Sequence, residues 1–148
     1  MLVMLVKERM SQGLVTVTPD ATLAQARALL DQHRIRHLLV LEGGKLAGII
    51  TDRDIRSAAS AASLEQVRVS RAMTRNVITV TPETHIQDAA KLLLTHRIGG
   101  LPVLKQGELH GIITETDLLN ALVEVMDHAV LERIAPDYQH RKMTVVDL

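Results

Sequence analysis

The chain has 148 residues, 17 Lys plus Arg against 17 Asp plus Glu, no Cys, Trp or Phe, and one Tyr, Tyr138. Without cysteine there is no disulfide framework, thiolate zinc site or cysteine nucleophile, and the composition suits a reducing cytoplasm. Zero net charge and a single ring argue against a basic duplex-binding face and against a base-stacking platform, so nucleic acid is not an expected partner.

Met1 to Val6 reads MLVMLV. It is too short for a signal-peptide apolar core and lacks a basic flank, so it reads as a strand or docking segment of the mature fold. No stretch approaches the ~20 apolar residues of a membrane span, and no membrane partner is expected.

From residue 10 onward the chain is a repeat. Residues 10–56 align without a gap on residues 73–119 at an offset of 63, with 21 of 47 positions identical. Thr16-Val17-Thr18-Pro19 returns as Thr79-Val80-Thr81-Pro82, His33-Arg34-Ile35 as His96-Arg97-Ile98, and Gly48-Ile49-Ile50-Thr51 as Gly111-Ile112-Ile113-Thr114.

Each copy has one element order. Leu14 to Thr18 is a β-branched run stopped by Pro19, hence a strand. Thr22-x-x-Gln25 is a capping box, and Leu23, Ala26, Leu30 and His33 continue one helical face until a stop near Arg34. Leu38–Leu41 and Leu46–Ile50 flank Gly43-Gly44 as a hairpin. Thr51 to Asp54 opens a second helix, which Ala58 to Ala62 continues. Val67-Arg68-Val69 is an extended piece leading into the second copy. There His85 replaces the capping Thr22, so that helix start is expected to be looser or capped by other means.

The fold class is therefore α/β of the α+β kind: two tandem β-α-β-β-α units related by a pseudo-two-fold axis. The units are residues 1–66, with the N-terminal strand and linker, and residues 67–125. Neither is large enough to stand alone, so the two are expected to share one core. Residues 126–148 form a helix extension and tail. Leu118, Leu119, Leu122, Val123, Met126 and Val130 keep helical spacing, as core packing or as a dimer contact. Pro136 ends that helix, His140 to Lys142 is basic, and Met143 to Val146 is strand-like.

This element order, its duplication, and Gly-Ile-Ile-Thr-x-x-Asp at each second helix resemble the CBS domain family. The two copies resemble a tandem CBS pair, or Bateman module, over roughly residues 3–125, and the tail resembles the incomplete start of the ACT domain that follows the pair in acetoin-utilisation-type proteins. The resemblance implies a regulatory, non-enzymatic module that binds AMP, ADP, ATP or S-adenosylmethionine, forms a homodimer and signals to a regulated protein. It implies a first site of Ile50, Thr51, Arg53 and Asp54 facing Val77, Ile78, Gly99, Gly100 and Pro102. It implies a second of Ile113, Thr114 and Asp117 facing Leu14, Val15, Arg36 and His37, where Arg36 and His37 would favour a phosphate. In such modules the Asp meets the ribose hydroxyls. Copy one departs from the family in carrying Leu39 where copy two has Pro102.

The chemistry is coherent, because a helix N-terminus offers unpaired N–H groups and partial positive charge to phosphate. Spacing alone fits a helix cap equally well, since Thr-x-x-acid is also a capping box. The alternative function is a dimerising scaffold without ligand. A resident metal is not expected: the helix should end between His33 and His37, and Mg²⁺ would arrive with ATP. No nucleophile elbow or phosphate loop is present, so catalysis is not expected.

Overall fold

A computed structural model describes residues 4–60 and 62–133, and the side chains of those up to residue 127. In the first copy β1 (Thr16–Val17) leads through α1 (Leu23–His33) to the hairpin of β2 (His37–Glu42) and β3 (Lys45–Thr51), then to α2 (Asp52–Ala59). A helical turn, α3 (Val69–Ala72), enters the second copy. That copy continues with α4 (Ile86–His96), the hairpin of β4 (Gly100–Lys105) and β5 (Glu108–Thr114), and α5 (Glu115–Arg133).

Local signals account for these boundaries. Thr22 and Gln25 close the expected box at the start of α1, and Arg34 ends the helix in the left-handed region. His85 makes no side-chain cap on α4. The N–H of Ile86 is instead satisfied by the carbonyl of Met4 at 2.8 Å, as that of Leu23 is by Val67 at 2.9 Å. The hairpin tips need positive φ and find it at Gly43-Gly44 and at Gln106-Gly107.

β1 runs parallel to β2, and β2 antiparallel to β3. In the second copy the first strand shrinks to a single parallel bridge from Val80 to Val103, beside the antiparallel pair of β4 and β5. The bridge Thr16–Leu39 has no counterpart there, because Pro102 lacks the N–H that Leu39 retains. α2 ends at Ala59, short of the expected Ala62, and Val69 lies in the α3 turn rather than in a strand. Met1 to Val3 and everything from Ile134, including Pro136, Tyr138, the basic step and the strand-like end, lie outside the described residues.

The expected single core is two clusters, each completed by a leading segment that belongs to neither hairpin. Leu23, Ala26, Leu30, Leu38, Val40, Ile50 and Ile55 pack with Val69 and Met73; Ala89, Leu93, Leu101, Val103 and Ile113 pack with Val6. Val6, in the segment expected as a strand or docking piece, is fully buried in a 3-10 turn, Val6–Glu8, and docks on the second core. Its N–H bonds Thr84, and Lys7 bonds Pro82; one offset later, Val69 bonds Ala21 and Ser70 bonds Pro19. The repeat thus reaches upstream of its last obvious identity.

Each leader then runs over the hairpin of the copy whose core it completes. Thr74 exchanges N–H and carbonyl bonds with Ile49 of β3, and Ser11 does the same with Ile112 of β5. Such reciprocity is what a two-fold relation between copies produces. The crossings press on Gly48 and Gly111: an added Cβ would lie 2.6 Å from the carbonyl oxygen of Thr74 or 2.7 Å from that of Ser11, with Met73 or Met10 sulfur at 3.0 Å. Backbone cannot yield as a side-chain tip can, so both positions require glycine.

Gly48→Ala and Gly111→Ala are each expected to lower unfolding free energy by about 1–3 kcal/mol, the range for overpacking. Gly13→Ala, with open space around it, is the control and should leave stability near wild type in urea denaturation.

Candidate functional site

Two hairpins crossed by two leaders leave a cleft where β3 passes into α2. Thr51 is extended and Asp54 is the third residue of the helix. The N–H of Thr51 donates to Asp54 Oδ2 at 2.9 Å, and the N–H of Asp54 donates to Thr51 Oγ1 at 3.2 Å. The capping reading of this pair is therefore real. It occupies one carboxylate oxygen of Asp54 and leaves Oδ1 without a partner among the described residues.

The copy-two pair is held more fully. Asp117 Oδ2 accepts from the N–H of Thr114 at 2.9 Å and from its hydroxyl at 3.0 Å, and Oδ1 accepts from Ser11 Oγ at 3.4 Å. Both oxygens of Asp117 are engaged.

A cavity of about 600 Å³ opens beside Asp54, within the size range of small-molecule sites. Thr51, Arg53 and Asp54 form one wall, Val77 and Ile78 a second, and Gly99 and Gly100 the floor. The leader that crosses at Thr74 runs on through Asn76 to make the second wall. The structure thus gathers seven of the nine residues expected for the first site. Ile50 and Pro102 lie outside the lining: Ile50 is wholly buried in the first core, and Pro102 is buried in β4.

Arg36 and His37, which the resemblance places at the Asp117 cleft, also line the Asp54 cavity. The carbonyl of Arg36 accepts from the N–H of Asp52 at 3.2 Å, which ties Arg36 to the helix start of its own copy. The His37 ring lies over the glycine step, and a Cβ at Gly99 would come within 2.8 Å of His37 Nε2. Gly99-Gly100 is the space that His37 fills. Of the remaining second-site residues, Thr114 and Asp117 are paired as above, Ile113 is wholly buried in the second core, and Leu14 and Val15 are half-buried ahead of β1.

Several lining residues, charged ones among them, were not among the expected site residues. Arg97, in the left-handed cap of α4, Arg56 and Glu115 all reach the cavity. Arg56 Nε bonds Asp52 Oδ2 at 3.1 Å, and Arg27 holds the other Asp52 oxygen at 2.5 Å. The Arg27 hydrogen bond, helped by the charges of Arg27, Arg56 and Arg36, keeps the Asp52 carboxyl below its usual range. No group of three or more His, Asp or Glu side chains is gathered for a metal among the described residues, nor is any helix there long and apolar enough to cross a membrane.

With this geometry in place, comparison with known proteins is decisive. The model of the CBS domain matches residues 6–61 and 69–124. The chain belongs to the CBS domain family. A CBS domain-containing protein of Dictyostelium discoideum is 40% identical over 136 residues, covering 83% of this chain and 94% of that relative. The CBS domain-containing protein YhcV of Bacillus subtilis is 35% identical, covering 76% and 81%. The match to inosine-5'-monophosphate dehydrogenase of Korarchaeum cryptofilum, 39% identical, covers only 22% of that enzyme. Among solved structures, the CBS domain pair of protein MJ0100, in complex with 5'-methylthioadenosine and S-adenosyl-L-methionine, superposes with a TM-score of 0.77 at 30% identity, covering 83% of this chain and 98% of that one. A protein assigned to acetoin utilization (AcuB) in Vibrio cholerae gives 0.77 at 28% identity, covering 91% and 100%.

Burial pushes the His37 imidazole below its ordinary value; Arg36 adds to this, while Glu115 and Asp54 oppose it. The unfolded ring takes its proton near pH ~6.5, and the folded ring resists until lower pH. Between those values the unfolded state binds more protons, so stability present above pH ~6.5 is lost as the pH falls below it. Urea midpoints between about pH 8 and pH 5 should fall on acidification, and His37→Asn should flatten the fall.

Proposed function

We propose that this CBS pair is a regulatory module that takes an adenosine-containing ligand (AMP, ADP, ATP or S-adenosylmethionine) in the cleft beside Asp54 and relays occupancy to a partner protein. The observation that carries this reading is the unpartnered Asp54 Oδ1 at the rim of a cavity walled by Val77 and Ile78 and floored by Gly99-Gly100. A carboxylate oxygen there can accept a ribose hydroxyl. Aliphatic walls such as Val77 and Ile78 can hold adenine without aromatic stacking. Ligand complexes of the similar MJ0100 pair support the ligand class.

Binding can signal only if the ligand favours one arrangement of the copies over another. The leaders that cross between the copies are the elements through which such a preference would act. No catalytic role is proposed, and any Mg²⁺ would enter with ATP.

Calorimetric titration with the four ligands tests the reading; silence at millimolar concentration for all of them leaves the unliganded scaffold. Asp54→Ala should weaken binding at this cleft at least about tenfold, the loss expected for a charge-assisted hydrogen bond. Asp54→Asn, which keeps an oxygen for the cap, should also bind weakly while melting near wild type.

We also propose a homodimer through α5. Leu119, Leu122, Val123 and Met126 follow helical spacing and are 52–61% exposed. That is an apolar stripe on a chain without net charge, which a second copy can cover. Light scattering should give a dimer for the wild type and a monomer for the double variant Leu122→Glu, Met126→Glu.

A further inference from the structure

At the offset of 63, His37 answers to Gly100 and Arg36 to Gly99. Their strand positions agree, since His37 pairs with Thr51 in the first hairpin and Gly100 with Thr114 in the second. These equivalent residues touch: a Cβ on Gly100 would lie 3.3 Å from His37 Cδ2, and one on Gly99 would lie 2.8 Å from Nε2. A residue can meet its own equivalent only beside the axis that relates the copies. Two rings could not share that space, and two glycines would leave it empty, whereas packed interiors tolerate neither overlap nor void. A single ring from copy one therefore wedges the copies at their axis.

The wedge is held by packing alone, because neither ring nitrogen forms a hydrogen bond with the described residues. That suits a neutral imidazole better than an imidazolium, which carries two donors and a charge. Charged groups approach the ring from every element around it. Arg36 flanks it on β2, Arg53 and Arg56 come from α2, and Arg97 comes from the end of α4. Among the acids, Asp52 is held by Arg27 and Arg56, and Asp54 closes its cap. Glu115, at the start of α5, forms no ion pair with the described residues. Its Oε1 lies 3.6 Å from the Cβ position on Gly99 that the ring approaches to 2.8 Å. Burial weighs most on the ring and opposes its charge; Glu115 and Asp54 favour the charge, and Arg36 opposes it.

We infer that His37 is a pH-operated wedge between the copies: neutral, it fills the gap over Gly99-Gly100; protonated, it leaves the gap for the Glu115 carboxylate, and the copies settle closer across their axis. A proton on the ring costs most where the ring is dry and least where it meets a carboxylate, so acid selects the second arrangement. Glu115 opens α5, so that arrangement also reaches the helix that carries the apolar stripe. The inference needs no ligand in the cleft and does not rest on the nucleoside reading.

The chain has no cysteine, so Gln32→Cys and Thr95→Cys, exposed and equivalent on α1 and α4, give a unique spin-label pair that spans the axis. Electron–electron double resonance on the full chain, diluted with unlabelled chain, reads their distance. Between about pH 8 and about pH 5 the distance with His37 in place should shorten by one atomic layer, ~3.5 Å. His37→Phe, a ring that cannot titrate, should hold the longer distance throughout. His37→Ala, which empties the gap without a charge, should give the shorter distance already at the higher pH. Glu115→Gln should move the change to lower pH. A distance that does not move with His37 in place overturns the inference, as does the same movement in His37→Phe. Far-UV circular dichroism that is lost together with the longer distance also overturns it, because the change is then unfolding.

Discussion

The structure depends on one steric constraint, the passage of a backbone segment directly over a glycine in each hairpin. At Gly48 and Gly111 the crossing leader comes so near that no Cβ fits. The crossings let Val69 and Met73 complete the first core and Val6 the second. Without them each copy would be a small hairpin with two helices and too little buried surface to be stable. They also create the cleft, because the leader that bonds Ile49 at Thr74 continues as the Val77-Ile78 wall.

Capping and ligand binding are often set against each other as accounts of a Thr-x-x-Asp helix start. Here geometry divides the labour by oxygen atom. Oδ2 of Asp54 closes the cap, and Oδ1 accepts no hydrogen bond from the described residues. In copy two Oδ1 of Asp117 carries one long contact, from the exposed Ser11 hydroxyl at 3.4 Å.

Much of the fold was legible in the sequence. The offset, the capping box at Thr22, the turn at Gly43-Gly44 and the stop at Arg34 are local, and local chemistry decides them. The weak cap at His85 was legible too, although its remedy was not: Met4 is eighty-two positions away from Ile86. Seven residues of the Asp54 cleft could be named from the family resemblance. Arg97 and Glu115 could not, because they belong to copy two and meet the Asp54 cavity only after the copies pack. Arg36 and His37 come to Asp54 through the hairpin of their own copy, where His37 pairs with Thr51.

The sequence by itself determined a neutral, ring-poor chain of two like units, with Thr-x-x-Asp at each second helix. Those are properties of spacing and composition, which survive any packing. Tertiary structure decided that there are two cores rather than one, that each is closed by a leader crossing from outside its hairpin, and that the cationic step borders Asp54. These outcomes depend on contacts between residues far apart in the chain, and no local pattern specifies which distant backbone will lie over Gly48 or Gly111.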